Sequence, residues 1–338
     1  MKSKITVAII NYNHGKYLDE AINSAINQTE PANSVLVIDD GSTDDSRAVI
    51  NSFSSHIRSI FKSNTGQRDS SNLALDMCDT EFVVFLDADD VLLPTALGMI
   101  AEAFATSESI SKVQWRLELI DEKSRALNMV IPTVLNGAEA GSNLKDKGLL
   151  YYSPPSSGNA YRTSVLKAFG SIPLSPSERH GADYFFIYAA CLGGDIYSID
   201  RILGRYRIID VAEARISCAM GNAARNSFQI SRSEERSKEF ISWIEKSAVS
   251  IDLNVAPLIS TPAIKEEFSS GIDNSKNWIE RVTILIQFLR NYGIRLIGDP
   301  WRHSFFKVSL IAWMIVVSIF PKSLSNSILK YGANKVAR

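Results

Sequence analysis

Phe82-Val83-Val84-Phe85-Leu86-Asp87-Ala88-Asp89-Asp90 is an unbroken apolar run that delivers three carboxylates at its end. Five apolar residues without alternation predict a strand covered on both faces, as in the parallel sheets of α/β proteins. The acids then fall at the carboxyl end of that strand, the edge where ligands collect in open parallel sheets. Three adjacent acids repel one another unless a cation or a proton relieves them. Hard oxygen donors suit Mg²⁺ or Mn²⁺, and Mg²⁺ needs only one or two carboxylates when substrate phosphates complete its shell. The stretch therefore reads as a site for a metal and a phosphorylated ligand. The plainer alternative is a solvated turn in which Asp90 or a neighbour caps the helix that starts near Pro94.

Working upstream, Ile5–Ile10 predicts a first buried strand, and Asn13-His14-Gly15 turns into a helix whose Leu18, Ala21, Ile22, Ala25 and Ile26 recur at helical spacing. Residues 34–38 form a second strand that again ends in acids, Asp39-Asp40. Gly41-Ser42-Thr43-Asp44 then supplies a turn with capping residues for the next helix. Residues 57–61 predict a weaker third strand, and a short helix through Leu73, Ala74 and Met77 leads to the stretch quoted above. Strands alternating with helices in this way imply an α/β fold with a parallel, doubly wound sheet.

With 338 residues the chain exceeds the usual single domain, and its 45% apolar and 22% charged content exclude disorder as the main state. Charge is unevenly distributed. Residues 281–338 hold nine Lys/Arg against one acid, Asp299, a net of +8 that leaves −9 for residues 1–280. An acidic body and a basic tail meet different partners. Cys78, Cys191 and Cys218 are widely spaced with no C-x-x-C, which fits neither a disulfide framework nor a zinc site and points to a reducing cytoplasm. The apolar run at 5–10 is too short for a signal peptide.

Several blocks together carry a resemblance: residues 7–13 with Tyr17-Leu18, Val37-Ile38-Asp39-Asp40-Gly41-Ser42-Thr43-Asp44, Asn64-Thr65-Gly66-Gln67 with Asn72, and Phe85-Leu86-Asp87-Ala88-Asp89-Asp90. In order and spacing they resemble the motifs of family 2 glycosyltransferases over about residues 5–210. The resemblance implies a GT-A fold, Rossmann-like, with a mostly parallel sheet and helices on both faces. It also implies a hexosyltransferase that moves a sugar from a nucleotide diphosphate, most often UDP, to a hydroxyl with inversion. On the donor side it implies that Tyr12 and Asp39 or Asp40 hold the nucleotide base, with Asn13, Gln67 and Asn72 also facing the donor. Asp87 would meet the ribose, and Asp89 of this D-x-D motif would bind Mn²⁺ or Mg²⁺. Ile10 and Asn11 replace the family's common Pro-Thr, and Ser71 stands where Arg is frequent before Asn72, with Arg68 as a substitute.

Beyond Pro94 a helix through Leu97, Ile100, Ala101 and Phe104 and a strand at 113–117 are expected, followed by a loop-rich 121–150. Residues 154–162 are turn-rich, resemble the family's acceptor-side loop, and enter a helix capped at Thr163 or Ser164. The block Gly181-Ala182-Asp183-Tyr184-Phe185-Phe186 resembles the family's short acidic motif, which implies Asp183 as catalytic base. As a helix N-cap, the alternative for this residue, it would still have one oxygen free. Residues 195–200 and 202–207 read as closing strands. Tyr206-Arg207-Ile208-Ile209 lacks the family's terminal His, so any phosphate or acceptor role of that His passes to Arg205 or Arg207, and Tyr161 joins Arg207 on the acceptor side.

The expected organisation is a GT-A domain over 1–210, with a nucleotide-sugar half at 1–93 and an acceptor half at 94–210, then a helical region over 211–338. That region is polar to about Lys246, with a linker near Pro257–Pro262 and an amphipathic helix bearing Trp278, Ile279, Val282, Ile286 and Leu289. The charge-free run at 308–320 reaches roughly 20 Å against a ~30 Å hydrocarbon core. With Trp301, Trp313, Arg302, Lys307 and Lys322 around it, the run suits a helix lying on an anionic membrane rather than one spanning it. The expected partners are a nucleotide-sugar donor, a glycan or lipid-linked glycan acceptor and, from about residue 281, the inner face of a bacterial cell membrane, with no nucleic acid. Surface polysaccharide synthesis is the implied setting. A non-catalytic nucleotide-sugar binding protein and a nucleotidyltransferase are the alternatives; intact acids oppose the first, and the poor Asn13-His14-Gly15-Lys16 loop opposes the second.

Overall fold

The computed structural model describes residues 4–135, 137, 139–175, 178–209, 230–251, 268, 271–272, 275, 277–298 and 304–319. Its β1 (Ile5–Asn11), β2 (Ser34–Asp39), β3 (Arg58–Phe61) and β4 (Phe82–Asp87) form a parallel array in the order β3-β2-β1-β4. Val7, Ile9, Val37, Val84 and Leu86 are buried because helices cover the sheet. The α1 helix (Gly15–Ile26) turns Leu18, Ala21, Ile22 and Ala25 inward; α2 (Ser46–Ser52) and α3 (Gln67–Asp76) complete the β-α alternation. Register decides what this array can do. Asn11 lies opposite Asp39, and Ile10 opposite Asp87, so the carboxyl ends of three strands share one edge.

The second half of the sheet is mixed. β5 (Val91–Leu92), α4 (Ala96–Ala105), β6 (Ile110–Ile120) and β7 (Ala126–Ile131) precede α5 (Ala140–Lys147), β8 (Asn159–Arg162), α6 (Thr163–Ala168), α7 (Ala182–Gly193) and β9 (Asp195–Arg207). The sheet continues β4-β8-β6-β9-β5, with β7 beside β6. β8 is antiparallel to β4 and β6, β7 to β6, and β5 to β9, whereas β6 and β9 run parallel. The parallel part of the expected mostly parallel sheet is thus β1–β4 and the β6–β9 pair. The loop-rich reading of 121–150 missed β7 and α5, whose segments alternate only weakly in polarity. Residues 154–162 contain a single 3₁₀ turn (Ser156–Gly158) before β8, and 195–207 is one strand rather than two.

The chain gathers into two units, one of residues 1–142, 152–209 and 239–252, the other of 143–151, 210–238 and 253–338. In the first, Phe240 and Trp243 of α8 (Ile230–Lys246) pack on Phe185 of α7, with ring centroids 6.0 and 5.5 Å away. In the second, α9 (Trp278–Gly298) and α10 (Ser304–Ile319) bury Leu285, Phe288, Leu310, Met314 and Val317 around Phe268 and Ile272. Trp278, Ile279 and Ile286 of the amphipathic α9 are exposed, and so are Val308, Ile315 and Ile319 of α10. No helix among the described residues is long and apolar enough to cross a membrane. The linker near 257–262, the segment before 230, Cys218, Trp301, Arg302 and the basic residues beyond 319 lie outside the described residues.

Candidate active site

The loops that leave β1 and β2 are tied together by Ser42. Its hydroxyl accepts the Asn13 N–H (2.9 Å) and a donor of the Asn11 amide (3.0 Å). Asn11 also donates to Asp39 Oδ1 (2.8 Å), and the Ser42 N–H reaches Asp39 Oδ2 (3.1 Å). Asn13 adopts the left-handed φ of 56° that asparagine tolerates, and its side-chain oxygen accepts the Thr43 N–H (2.8 Å). This lacing leaves Tyr12 projecting at 46% exposure, an aromatic face in water at the carboxyl edge of the sheet. Asp40 points elsewhere. It is buried and accepts from Lys62 (2.5 Å), Thr65 N (3.0 Å) and Gly66 N (2.8 Å), so it builds the loop between β3 and α3. Of the two acids expected at the nucleotide base, only Asp39 turns its carboxylate toward the Asn11–Asn13 turn; Asp40 meets it through its backbone N–H, which donates to Asn11 O (2.8 Å).

Gln67 and Asn72, expected to face the donor, bind protein backbone. Asn72 donates to Ile172 O (2.9 Å) and accepts Ile172 N–H (2.8 Å), while Gln67 Oε1 accepts Gly181 N–H (2.9 Å). Arg68 does not substitute for an arginine at position 71. It is buried and donates to His180 O (2.9 Å), Pro173 O (3.2 Å) and Glu239 (2.8 Å), with its guanidinium 4.7 Å from the Phe185 ring centre. The polar side of α3 therefore holds residues 172–173 and 180–181, the latter leading into α7 and Asp183. Gly181, not Asp183, is the N-cap of α7. Asp183 sits in the first turn, where Oδ1 accepts the N–H of Tyr184 (2.9 Å).

At the end of β4, Asp90 N–H closes a turn onto Asp87 O (3.0 Å), and the Ser157 hydroxyl accepts the Asp87 N–H (3.0 Å). Asp90 is thus no helix cap; Thr95 holds that position for α4. Burial, then the charges of Asp89 and Asp183, push the Asp87 carboxyl up to about 8. Burial, then Asp89 and Asp87, push Asp90 well above the usual carboxylate range, and its Oδ2 has no hydrogen-bond partner. Tyr161 is buried against Phe85 and Phe186, so it lines the core and not an acceptor surface. Burial and then Asp183 and Asp87 raise its hydroxyl. Asp183 therefore acts electrostatically on the same ground as the β4 acids, although about a hundred residues separate them in sequence.

Arg207, expected on the acceptor side, is fully buried. It holds the acid turn from behind: its N–H donates to Asp90 Oδ1 (2.9 Å) and its Nε to Asp89 O (2.8 Å). Its other nitrogens reach Asp121 O (3.0 Å), Ser124 (2.9 Å) and Glu20 (2.5 Å). Arg205 pairs with Glu118 at 3.2 Å. His14, whose Nδ1 lies 3.7 Å from Asp89 Oδ2, joins the site unannounced by the sequence, as do Ser157, Glu20 and Glu239. Adjacency to Asn13 was the one available signal for His14.

Carboxyls driven upward by burial and by one another, beside a buried oxygen with no hydrogen-bond partner, offer a cluster of oxygen donors that fits a divalent cation. Among the described residues no three His, Cys, Asp or Glu side chains gather into a ready cage. An ion here would take Asp89 and share its shell with a bound phosphate.

Residues 6–167 match the model of the family described as Glycosyl transferase family 2. An uncharacterized glycosyltransferase of Nostoc sp. is 36% identical over 61% of this chain and 65% of that protein. The chondroitin synthase of Escherichia coli is 31% identical over 37% of this chain and 18% of its own length. The chain thus spans less than two thirds of these relatives. Among solved structures, S. aureus TarS 1-349 in complex with UDP-GlcNAc shares the fold, with a TM-score of 0.57 at 17% identity over 100% of this chain and 90% of that one.

Proposed function

Over residues 6–167 the chain belongs to glycosyl transferase family 2, and on that premise we propose that it moves a hexosyl group from a UDP-sugar to a hydroxyl of a glycan or lipid-linked glycan in bacterial surface polysaccharide synthesis. The observation that carries this reading is the convergence of Asp87, Asp89 and Asp90 at the end of β4 with Asp183 at the start of α7. Glycosyl transfer makes two demands that such a group meets: charge compensation at a departing diphosphate and removal of a proton from the attacking hydroxyl. That S. aureus TarS is solved with UDP-GlcNAc, and that a relative is a chondroitin synthase, supports the choice of donor and acceptor class.

In this reading the exposed Tyr12 ring stacks on the base above the Asn11–Asp39–Ser42 lattice, with Asn13 at its rim. Asp87 accepts from the ribose, and Asp89 holds Mg²⁺ or Mn²⁺, which when bound supplies positive charge against the diphosphate. Asp183 is the base. Tyr184 N–H fixes its Oδ1, and Oδ2 takes the proton of the acceptor hydroxyl as the new glycosidic bond forms and the bond to the diphosphate breaks. Gln67, Asn72 and Arg68 hold the segment that aims it. The exposed apolar residues of α9 and α10, within and just before the basic region beyond 281, support peripheral attachment to the inner face of the cell membrane.

The test is turnover of UDP-sugars with and without Mn²⁺, comparing wild type with Asp183→Asn. The expected result is release of free UDP, donor affinity nearly unchanged in the variant, and kcat lower by at least about 10²-fold. Pyrophosphate among the products would indicate nucleotidyl transfer, and donor binding without any turnover would indicate a sensor.

A further inference from the structure

His14 closes the first β-α unit, and its backbone is already committed: its carbonyl accepts the N–H groups of Tyr17 (2.9 Å) and Leu18 (3.0 Å) as α1 begins. Its ring makes no capping hydrogen bond to that helix. The side chain is 35% exposed and turned toward the acid turn, where Nδ1 lies 3.7 Å from Asp89 Oδ2. That separation is too long for a direct hydrogen bond. It lies between the spacings of adjacent and opposite ligands of one ion, so a small turn of the imidazole ring brings both donors onto it. In an octahedral shell with bonds of about 2.1 Å, adjacent donors lie about 3.0 Å apart and opposite donors about 4.2 Å apart.

We propose that His14 is a second protein ligand, with Asp89, of the divalent cation at this site, and that it biases the site toward Mn²⁺ over Mg²⁺. The inference rests on the metal-dependent reading above. Both donors sit on backbone that is held from outside the metal shell, so only side-chain torsions have to settle when an ion binds. Asp89 is held through its carbonyl by Arg207, and His14 through its own carbonyl by the first turn of α1. The neighbouring Asp90 Oδ2 is buried without a hydrogen-bond partner, an oxygen acceptor that the turn leaves open. Selectivity follows from ligand chemistry. Mg²⁺ is a hard, oxygen-seeking ion that sheds water reluctantly, whereas Mn²⁺ accepts an imidazole nitrogen among oxygen ligands.

The experiment uses the full chain with UDP and Mn²⁺, comparing wild type, His14→Ala and Asp89→Asn, each first checked for an unchanged thermal melt. Bound Mn²⁺ is read from the loss of its free-ion electron paramagnetic resonance signal, and its ligands from pulsed measurement of nitrogen hyperfine coupling. Wild type should show coupling to an imidazole nitrogen. His14→Ala should lose it and bind Mn²⁺ at least about tenfold more weakly, while Mg²⁺, measured by competition, changes less than about twofold. Mn²⁺ binding retained in His14→Ala with the same nitrogen coupling would overturn the assignment and leave the metal reading intact. Binding that persists unchanged in Asp89→Asn, or no binding to wild type, would overturn the metal reading itself.

Discussion

Arg207 shows how a buried cation works by holding backbone rather than by meeting substrate. Its guanidinium joins Asp89 O, Asp121 O, Ser124 and Glu20, four points on three segments, so the acid turn cannot move without breaking them. Arg207→Met should cost roughly 2–4 kcal/mol in urea unfolding, because two buried carbonyls lose their donors while half-exposed Glu20 can return to water. Arg207→Lys should recover less than half of that, since one ammonium cannot span the same points; full recovery would refute the clasp. Asp87 yields a prediction about pH. An aspartate in the unfolded chain releases its proton near 4, but here the carboxyl is pushed up to about 8. Between these values the folded chain keeps a proton that the unfolded chain has released, so stability falls as pH rises. In chelator, melting temperature from pH 5 to 8 should drop more steeply for wild type than for Asp87→Asn, and parallel slopes would count against it. At this scale the sequence displayed the acids, since a carboxylate that ends a doubly covered strand stands at the sheet edge where ligands bind. It could not display Arg207 or Asn72 correctly, because a side chain's role here depends on which backbone groups the fold brings to it.

Among the elements, α3 and α8 do for Asp183 what Arg207 does for Asp89. α3 supplies Gln67, Arg68 and Asn72 to residues 172–173 and 180–181, and α8 supplies Glu239 to Arg68 while laying Phe240 and Trp243 over Phe185. Glu239→Ala should leave the Arg68 charge buried with only carbonyls and the Phe185 ring for company, at a cost of roughly 1–3 kcal/mol. The loss should be local, so the Gly181 amide, bonded to Gln67, should exchange its hydrogen faster than the amides of β1. Uniform acceleration across both would place the effect on global stability instead. The strands of the first half were legible because doubly covered strands are apolar without interruption. α8 read as a polar helix because its charged residues dominate the count; the apolar positions 240, 243 and 244, at helical spacing, were the signal that it covers something.

On the scale of the whole molecule, the two units carry different surfaces. The first ends its described part at α8, and shortening the chain to 1–238 should uncover Phe185 and Phe169 and yield aggregated protein, whereas 1–252 keeps Phe240 and Trp243 in place. The second unit presents Trp278, Ile279 and Ile286 on α9 and Val308, Ile315 and Ile319 on α10, the first two just before and the rest within the 281–338 stretch of net charge +8. The sequence located this region as basic and amphipathic but could not say which apolar residues of α9 are buried, because α9 has them on more than one side and only packing selects among them. Basic residues near an anionic leaflet contribute roughly 1 kcal/mol each, and that share fades with salt, while an apolar face contributes a share that does not. Sedimentation with phosphatidylserine-containing vesicles should therefore recover the full chain at low salt and release much of it at high salt. Replacing Val308, Ile315 and Ile319 together with glutamate should abolish the salt-resistant remainder while leaving UDP binding unchanged, since every donor-side residue lies before Val91. Equal recovery of variant and wild type with neutral vesicles at both salt concentrations would exclude this face from the membrane contact, and extraction only by detergent would indicate deeper insertion than a surface helix allows.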